Sequence, residues 1–104
     1  MTYPKLVRDR IPTLIAASGR QCRTTVLPEA AFRAALLAKL VEEAQEVQAA
    51  TPEELLPELA DVLEVVGALL SLHRCTLAQA QAVQAERRQA RGSFESRLQL
   101  DWVG

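Results

Sequence analysis

The stretch EAAFRAALLAKLVEEAQEVQAA, residues 29–50, decides the fold because its apolar residues recur at spacings of three and four. Residues at these spacings lie on one face of a helix with about 3.6 residues per turn. The apolar stripe consists of Phe32, Leu36, Leu37, Leu40, Val41, Ala44 and Val47. We therefore predict a long amphipathic helix that packs its striped face against another element.

Helix-ending residues divide the rest of the chain into similar pieces. Pro12 lies near the start of TLIAASG and Gly19 near its end, which predicts a short helix between them. Thr76 is a suitable N-cap for the Ala- and Gln-rich segment that runs to Gly92, which predicts the last helix. Two further helices therefore flank the central part of the chain.

The third helix of the chain has an ambiguous start. TPEE, residues 51–54, resembles a helix opening with Thr51 as N-cap and Glu54 at the capping-box position. Pro57 follows in the second turn and lacks the N–H group that the helical ladder needs there. We therefore predict a turn over residues 52–56 and a helix from Pro57 to about Leu72.

Composition agrees with helix-on-helix packing. Aromatic residues make up 4% of the 104 residues, while Leu, Val and Ala abound. CRTTVLP, residues 22–28, favours a short extended segment, and FESRLQLDWV, residues 94–103, favours a short strand or an extended tail. We predict one all-α domain over residues 1–104, a small bundle of about four helices with short extended N- and C-terminal segments.

Charge and cysteine content exclude several classes of protein. Twelve Lys and Arg residues against 13 Asp and Glu residues give a net charge of -1, so the overall charge does not favour nucleic acid or a membrane surface as a partner. Cys22 and Cys75 lie far apart, outside any metal-binding spacing, and we expect buried, reduced thiols. No signal peptide is recognisable, and VVGALLSL, residues 65–72, is too short to span a bilayer. We expect a cytoplasmic protein.

Acidic residues interrupt the apolar face of the long helix. Glu43 lies three residues after Leu40 and four before Val47, on the stripe itself. Glu42 and Glu46 project toward the same side because they lie within one turn of it. A helix buried along this face would therefore carry carboxylates into the interface.

The following helix repeats this feature. Glu58 and Asp61 are i,i+3 neighbours, and Glu58 aligns with the apolar residues of its own helix, Val62, Val65 and Leu69. An unpaired charge in a core costs several kcal/mol, so cations must neutralise the two pairs or the helices must separate. Carboxylate oxygens in such a cluster suit Mg²⁺, with Mn²⁺ as a second possibility. The simpler alternative is a solvated acidic face whose charge Lys39 and Arg33 partly offset.

Other kinds of site find little support in the sequence. His73 lies beside Arg74 at a predicted helix end, where a surface or capping role is more common than metal ligation. The chain has no Gly-rich phosphate loop, and its single His has no recognisable Ser, Cys or Asp partner for nucleophilic catalysis.

The ordered motifs of the chain resemble those of a known family. EEAQE (42–46), an 11-residue gap and ELAD (58–61) resemble the EExxE…ExxD signature of the MazG-like all-α NTP pyrophosphohydrolase superfamily. KLVRDRIP (5–12), KLVEE (39–43) and RGSFESRLQL (91–100) are similar to segments of its phosphoribosyl-ATP pyrophosphohydrolase-like members. The resemblance implies a helical domain that dimerises or assembles further, and acidic residues that bind the Mg²⁺ carrying a triphosphate.

The resemblance also implies roles for individual residues. The implied metal ligands are Glu43, Glu46, Glu58 and Asp61. Glu42 and Glu43 would be the catalytic residues: Glu42 would hold a further metal or orient the attacking water, and Glu43 would hold the metal that polarises the α-phosphate. Phosphate-binding cations would be Lys5, Arg8, Arg10, Lys39 and Arg91, with Arg97 as a further candidate. The expected reaction is Mg²⁺-dependent hydrolysis of a nucleoside triphosphate, or of a related nucleotide such as phosphoribosyl-ATP, to the monophosphate and pyrophosphate.

Two other classes of function remain open at this point. The first is a non-catalytic metal-binding or structural helical module. The second is a nucleic-acid-associated protein using ERRQAR, residues 86–91, but Glu86 and Glu95 flank this short basic run and no recognition motif accompanies it. Apolar residues occupy more than one face of VLEVVGALLSL, residues 62–72, so we also expect a homodimer or homotetramer. The sequence does not select a nucleobase.

Overall fold

The fold is all-α over residues 4–104, the part of the chain that the computed structural model describes. Its helices are α1 (Ile11–Ala17), α2 (Glu29–Ala49), α3 (Leu55–Leu72) and α4 (Leu77–Arg91). Within residues 4–104 no strand is formed, so the predicted all-α class with about four helices is confirmed. None of the helices in this range is both long and apolar enough to cross a membrane.

Helix ends follow the capping residues closely. Pro12 lies in the first turn of α1, and Gly19 after its end has a φ of 82°, a conformation that glycine adopts at little cost. At α4 the Gln79 N–H donates to Thr76 Oγ1 at 3.1 Å, while the Thr76 N–H donates to Gln79 Oε1 at 2.8 Å. This reciprocal pair is a complete capping box, and it confirms Thr76 as the N-cap.

The predicted start of α3 was wrong by two residues. The helix begins at Leu55, with Glu54 as N-cap, and Pro57 is its third residue. Pro57 is tolerated because the first N–H groups of a helix have no intrahelical partner. The Glu58 N–H is the first to donate, to Glu54 O at 3.1 Å. Thr51 opens the preceding turn, where its N–H donates to the Glu54 carboxylate at 3.0 Å.

Helices α2 and α3 form an antiparallel hairpin joined by residues 50–54. The buried aliphatic side chains are Leu36 of α2, 3% exposed, and Val65 of α3, 7% exposed. Phe32, Leu40 and Val47 on the α2 stripe are half-buried, whereas Leu37 and Val41 are exposed. The apolar core of the described chain is therefore a narrow seam between the two long helices.

The chain is extended rather than folded around this seam. Its radius of gyration is 17.8 Å and its extents are 60 × 34 × 25 Å. A compact domain of this length would have a radius of gyration of about 13 Å. Neither α1 nor α4 contains a buried residue. Much of the apolar surface of the helices is consequently open to solvent in the single chain.

The segments outside the hairpin test the predicted burial of the two cysteines and the predicted extended segments. Cys22 and Cys75 are free thiols, but both are exposed, so the predicted burial was wrong because neither lies on the seam. Residues 94–103 form a tail, so of the two alternatives for this segment the strand is not formed. Residues 22–28 likewise have no regular structure.

Candidate metal centre

Three carboxylates from the two long helices converge at the hairpin end nearest the connection. Glu43 of α2 and Glu58 and Asp61 of α3 each offer one oxygen, and these oxygens all lie within 4.8 Å of one another. Glu43 is on the stripe that faces α3 and is only 7% exposed, while Glu58 and Asp61 are half-buried. The i,i+3 spacing of Glu58 and Asp61 places both on the side of α3 that meets Glu43.

Two oxygens of this cluster lack any partner. Glu43 Oε2 and Glu58 Oε2 are both buried, and neither accepts a hydrogen bond within the described residues. A buried carboxylate oxygen without a donor lowers the stability of the fold when the group is ionised. The arrangement therefore favours either protonation of the carboxyl groups or the binding of a cation.

Burial is the main cause of a raised pKa at Glu43. Desolvation disfavours the ionised form, and the negative charges of Glu46 and Asp61 raise the pKa further. Lys39 acts in the opposite direction, through its charge and a hydrogen bond. Because the opposing cation does not offset burial and repulsion, Glu43 takes up a proton more readily than an ordinary glutamate.

Glu58 also has a raised pKa, and burial and the nearby Glu46 are among the causes. Desolvation is again the largest cause, followed by the proximity of the Glu46 carboxyl group. The charges of Asp61 and Glu43 raise it further. Glu46 is exposed, so it lies at the rim of the cluster rather than inside it.

Lys39 is the cation nearest the buried glutamate. Its Nζ lies 3.5 Å from Glu43 Oε1 and 3.7 Å from Glu42 Oε1, because the three residues share one turn of α2. Lys39 thus engages one oxygen of Glu43 and leaves Oε2 free for another partner. Glu42 is held at the edge of the site by this ion pair, outside the group of three converging oxygens.

Arg8, in the N-terminal segment, contacts the carboxylate cluster through Asp61. Its Nη2 donates to Asp61 Oδ1 at 2.7 Å, with 59% of the Arg8 side chain and 43% of the Asp61 side chain exposed. The Arg8 carbonyl accepts from the Ile11 N–H at 3.1 Å, which fixes Arg8 just before α1. The N-terminal segment therefore delivers a guanidinium group to the carboxylate site.

The other predicted cations are not brought to the cluster. Within residues 4–104, Lys5, Arg10 and Arg91 form no ion pair. Arg91 lies in the last turn of α4, and Arg97 follows in the tail with a φ of 54°. Among the basic candidates, the structure thus places Arg8 and Lys39 at the carboxylates.

The donor set fits a hard divalent cation. Mg²⁺ takes oxygen ligands at about 2.0–2.1 Å, so oxygens on opposite sides of the ion lie about 4.2 Å apart. Oxygens on adjacent sides of the ion lie about 3 Å apart, so the oxygens of Glu43, Glu58 and Asp61, within 4.8 Å of one another, could hold one ion after moving closer together. Mn²⁺, with the same preference for oxygen ligands, fits for the same reason.

Comparison with known proteins leaves the family undecided. No protein-family model matches the chain, and no solved structure matches it. One relative, an uncharacterized protein of Mycolicibacterium smegmatis, is 54% identical over 46 residues. The match covers 44% of this chain and 47% of the relative, so it spans about half the length of the relative. The chemistry of the carboxylate site is therefore the main guide to the function of this chain.

Proposed function

We propose that the protein hydrolyses a nucleoside triphosphate, or a related nucleotide such as phosphoribosyl-ATP, to the monophosphate and pyrophosphate in a reaction that requires Mg²⁺. The observation that carries the proposal is Glu43: a side chain more than nine-tenths buried, with an unpartnered oxygen, beside the carboxylates of Glu58 and Asp61. A carboxylate in a core lowers stability unless something binds it. Its presence there favours a role in binding a cation.

The proposed metal ligands are Glu43, Glu58 and Asp61, with Glu46 at the rim. Bound Mg²⁺ would neutralise charge on the phosphates and make a bound water more acidic. Glu42 lies at the edge of the site with its charge partly offset by Lys39. From that position its carboxylate is suited to orient a water molecule and accept its proton.

Arg8 and Lys39 are the proposed phosphate-binding groups. Both are cations already positioned at the carboxylates, and a guanidinium group can engage two phosphate oxygens at once. Arg8 is more than half exposed, so it can exchange Asp61 for a phosphate without crossing the core. Lys5, Arg10 and Arg91 remain weaker candidates because none contacts the cluster within residues 4–104.

Glu43→Gln tests the proposal because it removes a charge at nearly constant shape. In wild type, millimolar Mn²⁺ should raise the melting temperature above that in EDTA, since a ligand that binds only the folded state stabilises it. In the variant this increase should largely disappear, and pyrophosphate release from a panel of nucleotides with Mg²⁺ should fall about 100-fold or more.

Glu64→Gln is the matched control, since it removes one exposed carboxylate of α3 outside the cluster. It should leave both the metal effect and the hydrolysis unchanged. Equal melting temperatures of wild type in EDTA and Mn²⁺, together with no hydrolysis of any nucleotide, would refute the proposed enzyme.

A non-catalytic metal-binding or structural module is the second candidate. The observation that favours it is that Arg8 and Lys39 already offset part of the acidic charge without any ligand. This candidate predicts a different outcome for Glu43→Gln: metal binding changes, or the metal-free fold loses stability, while no nucleotide is hydrolysed by wild type. Measuring stability and hydrolysis on the same samples therefore separates the two functions.

We further propose that the functional unit contains two or more copies of the chain. Support comes from α3, where Leu56, Leu59 and Leu63 form a stripe at spacings of three and four on the side away from α2. These three side chains, which we term the outer stripe, are all exposed in the single chain. Light scattering that gave only a mass of 11.4 kDa at micromolar concentration would contradict this assembly.

A further inference from the structure

The C-terminal arm, residues 93–104, combines large apolar side chains with almost complete exposure. Leu98, Leu100 and Trp102 are 90%, 81% and 80% exposed, and Phe94 is 96% exposed. None of these side chains is covered by the helices of the described chain. Such a concentration of exposed apolar residues is typical of a surface that another molecule covers.

The arm has two chemically different sides. Residues 98–104 form no helix, turn or bend, and side chains two positions apart lie on the same side, because Gln99 Nε2 donates to Asp101 Oδ1 at 2.8 Å. Gln99 and Asp101 thus satisfy each other on one side of the arm, which Val103, 76% exposed, continues. Leu98, Leu100 and Trp102 alternate with them and make the other side apolar.

We propose that the apolar side of the C-terminal arm packs on the outer stripe of α3 in a second copy of the chain. This inference rests on the proposed assembly of two or more copies and names the segment that holds the copies together. In a twofold arrangement each chain would give one arm and receive one arm.

The spacing of the two surfaces is compatible. Alternate side chains of an extended segment repeat about every 6.7 Å. Helix residues four positions apart, such as Leu59 and Leu63, repeat about every 6 Å. Gly67 continues the outer stripe by one more turn, and no atom beyond its own stretch of helix lies within 4 Å of where its Cβ would be. The surface is therefore open at Gly67, which leaves room for a large ring such as that of Trp102.

The surface area that an exchange of arms would bury is large enough for a specific dimer. Burying Trp102 removes on the order of 200 Å² from solvent for each arm. The leucines of the arm, the receiving stripe and the second, symmetry-related contact bring the total to roughly 1,200–2,000 Å², the range of standard specific interfaces. The seam between α2 and α3 buries only two aliphatic side chains, so an arm exchange would add substantially to the apolar core.

Trp102, the single tryptophan of the chain, is a direct probe of the arm. The proposal predicts that its fluorescence emission moves to shorter wavelength as the protein concentration rises, in step with the increase in mass measured by light scattering. Emission typical of a water-exposed indole in an assembled dimer would overturn the proposal, and so would short-wavelength emission that does not depend on concentration, which would mean that the arm covers its own chain.

Matched charged substitutions identify the surfaces. Leu100→Glu on the apolar side of the arm should raise the dimer dissociation constant by at least about tenfold, and Leu63→Glu on the outer stripe should do the same. Gln99→Glu adds the same charge on the polar side and should change it little. An unchanged dissociation constant in Leu100→Glu would overturn the proposal even if the protein remained dimeric.

Mixing the two defective variants tests the exchange between copies. Alone, a Leu100→Glu dimer has no intact arm and a Leu63→Glu dimer has no intact stripe. A mixed pair restores one of the two contacts, so equimolar mixing should recover part of the dimer at concentrations where each variant alone is monomeric. Absence of recovery would contradict an arm–stripe contact. Glu43→Gln should dimerise normally, so failure of this inference and failure of the proposed metal site give different results.

Discussion

The carboxylate end of the α2–α3 hairpin and the C-terminal arm depart from ordinary burial in opposite directions. At the hairpin, Glu43 is a charged group that is 7% exposed, whereas in the arm Leu98 is an apolar group that is 90% exposed. Each arrangement is unfavourable for an isolated chain, because charges prefer water and large apolar groups avoid it. In our proposal a bound cation stabilises the buried Glu43 carboxylate, and a second copy of the chain covers the exposed apolar side chains of the arm.

The two regions should also differ in what a small substitution does to the isolated chain. Leu36→Ala removes a side chain that is 3% exposed in the seam and should lower the free energy of unfolding by about 2–4 kcal/mol. Leu98→Ala makes the same chemical change in the arm and should alter it by less than about 0.5 kcal/mol. Denaturant unfolding at concentrations where the protein is monomeric measures both values. Equal losses would mean that the arm is packed within its own chain.

The pH dependence of stability probes the buried charge more finely. The pKa values of Glu43 and Glu58 are raised from 4.5, so between that value and their folded-state pKa the folded chain binds more protons than the unfolded chain. Their contribution to stability is therefore full at low pH and is lost as the pH rises through the folded-state pKa. The metal-free protein should gain stability from these two groups on acidification from neutral pH.

Glu54 contributes with the opposite sign. The Thr51 N–H holds its pKa below the usual value, so its contribution is present above pH 4.5 and is lost as the pH falls through the lowered pKa. Glu43→Gln isolates the Glu43 part, because it should reduce the gain on acidification to the contribution of Glu58 and leave the Glu54 contribution unchanged. Thermal melts in EDTA across this pH range provide the measurement. A wild-type gain equal to that of the variant would show that burial of Glu43 does not control its ionisation.

The sequence predicts which residues share a helix face, but it does not predict which distant residues come into contact. Glu58 and Asp61 lie on one face of α3 because they are i,i+3 neighbours, and Glu43 lies on the apolar stripe of α2 because it is three residues after Leu40 and four before Val47. Helix α3 begins two residues before the predicted Pro57, because the first turn of a helix needs no N–H at that position. Local rules thus found the cluster and misjudged a boundary.

Helical spacing does not predict contacts between segments that are far apart in the sequence. Arg8 and Asp61 are 53 residues apart, and no spacing pattern pairs them. The exposure of Cys22 and Cys75 was missed for a related reason: burial of a small apolar side chain depends on a core, and the core of the described chain is limited to the hairpin seam. Apolar content alone therefore overestimates how much of the chain is covered by its own helices.

Arg8→Ala should have the smallest effect on the metal-free fold. The Arg8–Asp61 pair is largely exposed, with 59% and 43% of the two side chains open to solvent, and exposed ion pairs contribute about 0–1 kcal/mol. Removing Arg8 should therefore change the metal-free melting temperature little. It should also leave Mn²⁺ binding equal or tighter by no more than about fivefold, because the guanidinium group no longer competes for Asp61.

The substrate side of the same variant tests the proposed role of Arg8. If the guanidinium group binds phosphate, its loss should raise the Michaelis constant when the contact is equally strong in the ground and transition states, and lower kcat when the contact strengthens in the transition state. Arg20→Ala is the control, since it removes an exposed guanidinium group that has no ion pair within residues 4–104 and is not among the phosphate-binding candidates. Equal kinetics of the two variants would assign Arg8 to structure alone. A weaker Mn²⁺ response in Arg8→Ala would mean that the N-terminal segment organises the carboxylates, because a competitor for Asp61 cannot strengthen metal binding by its presence.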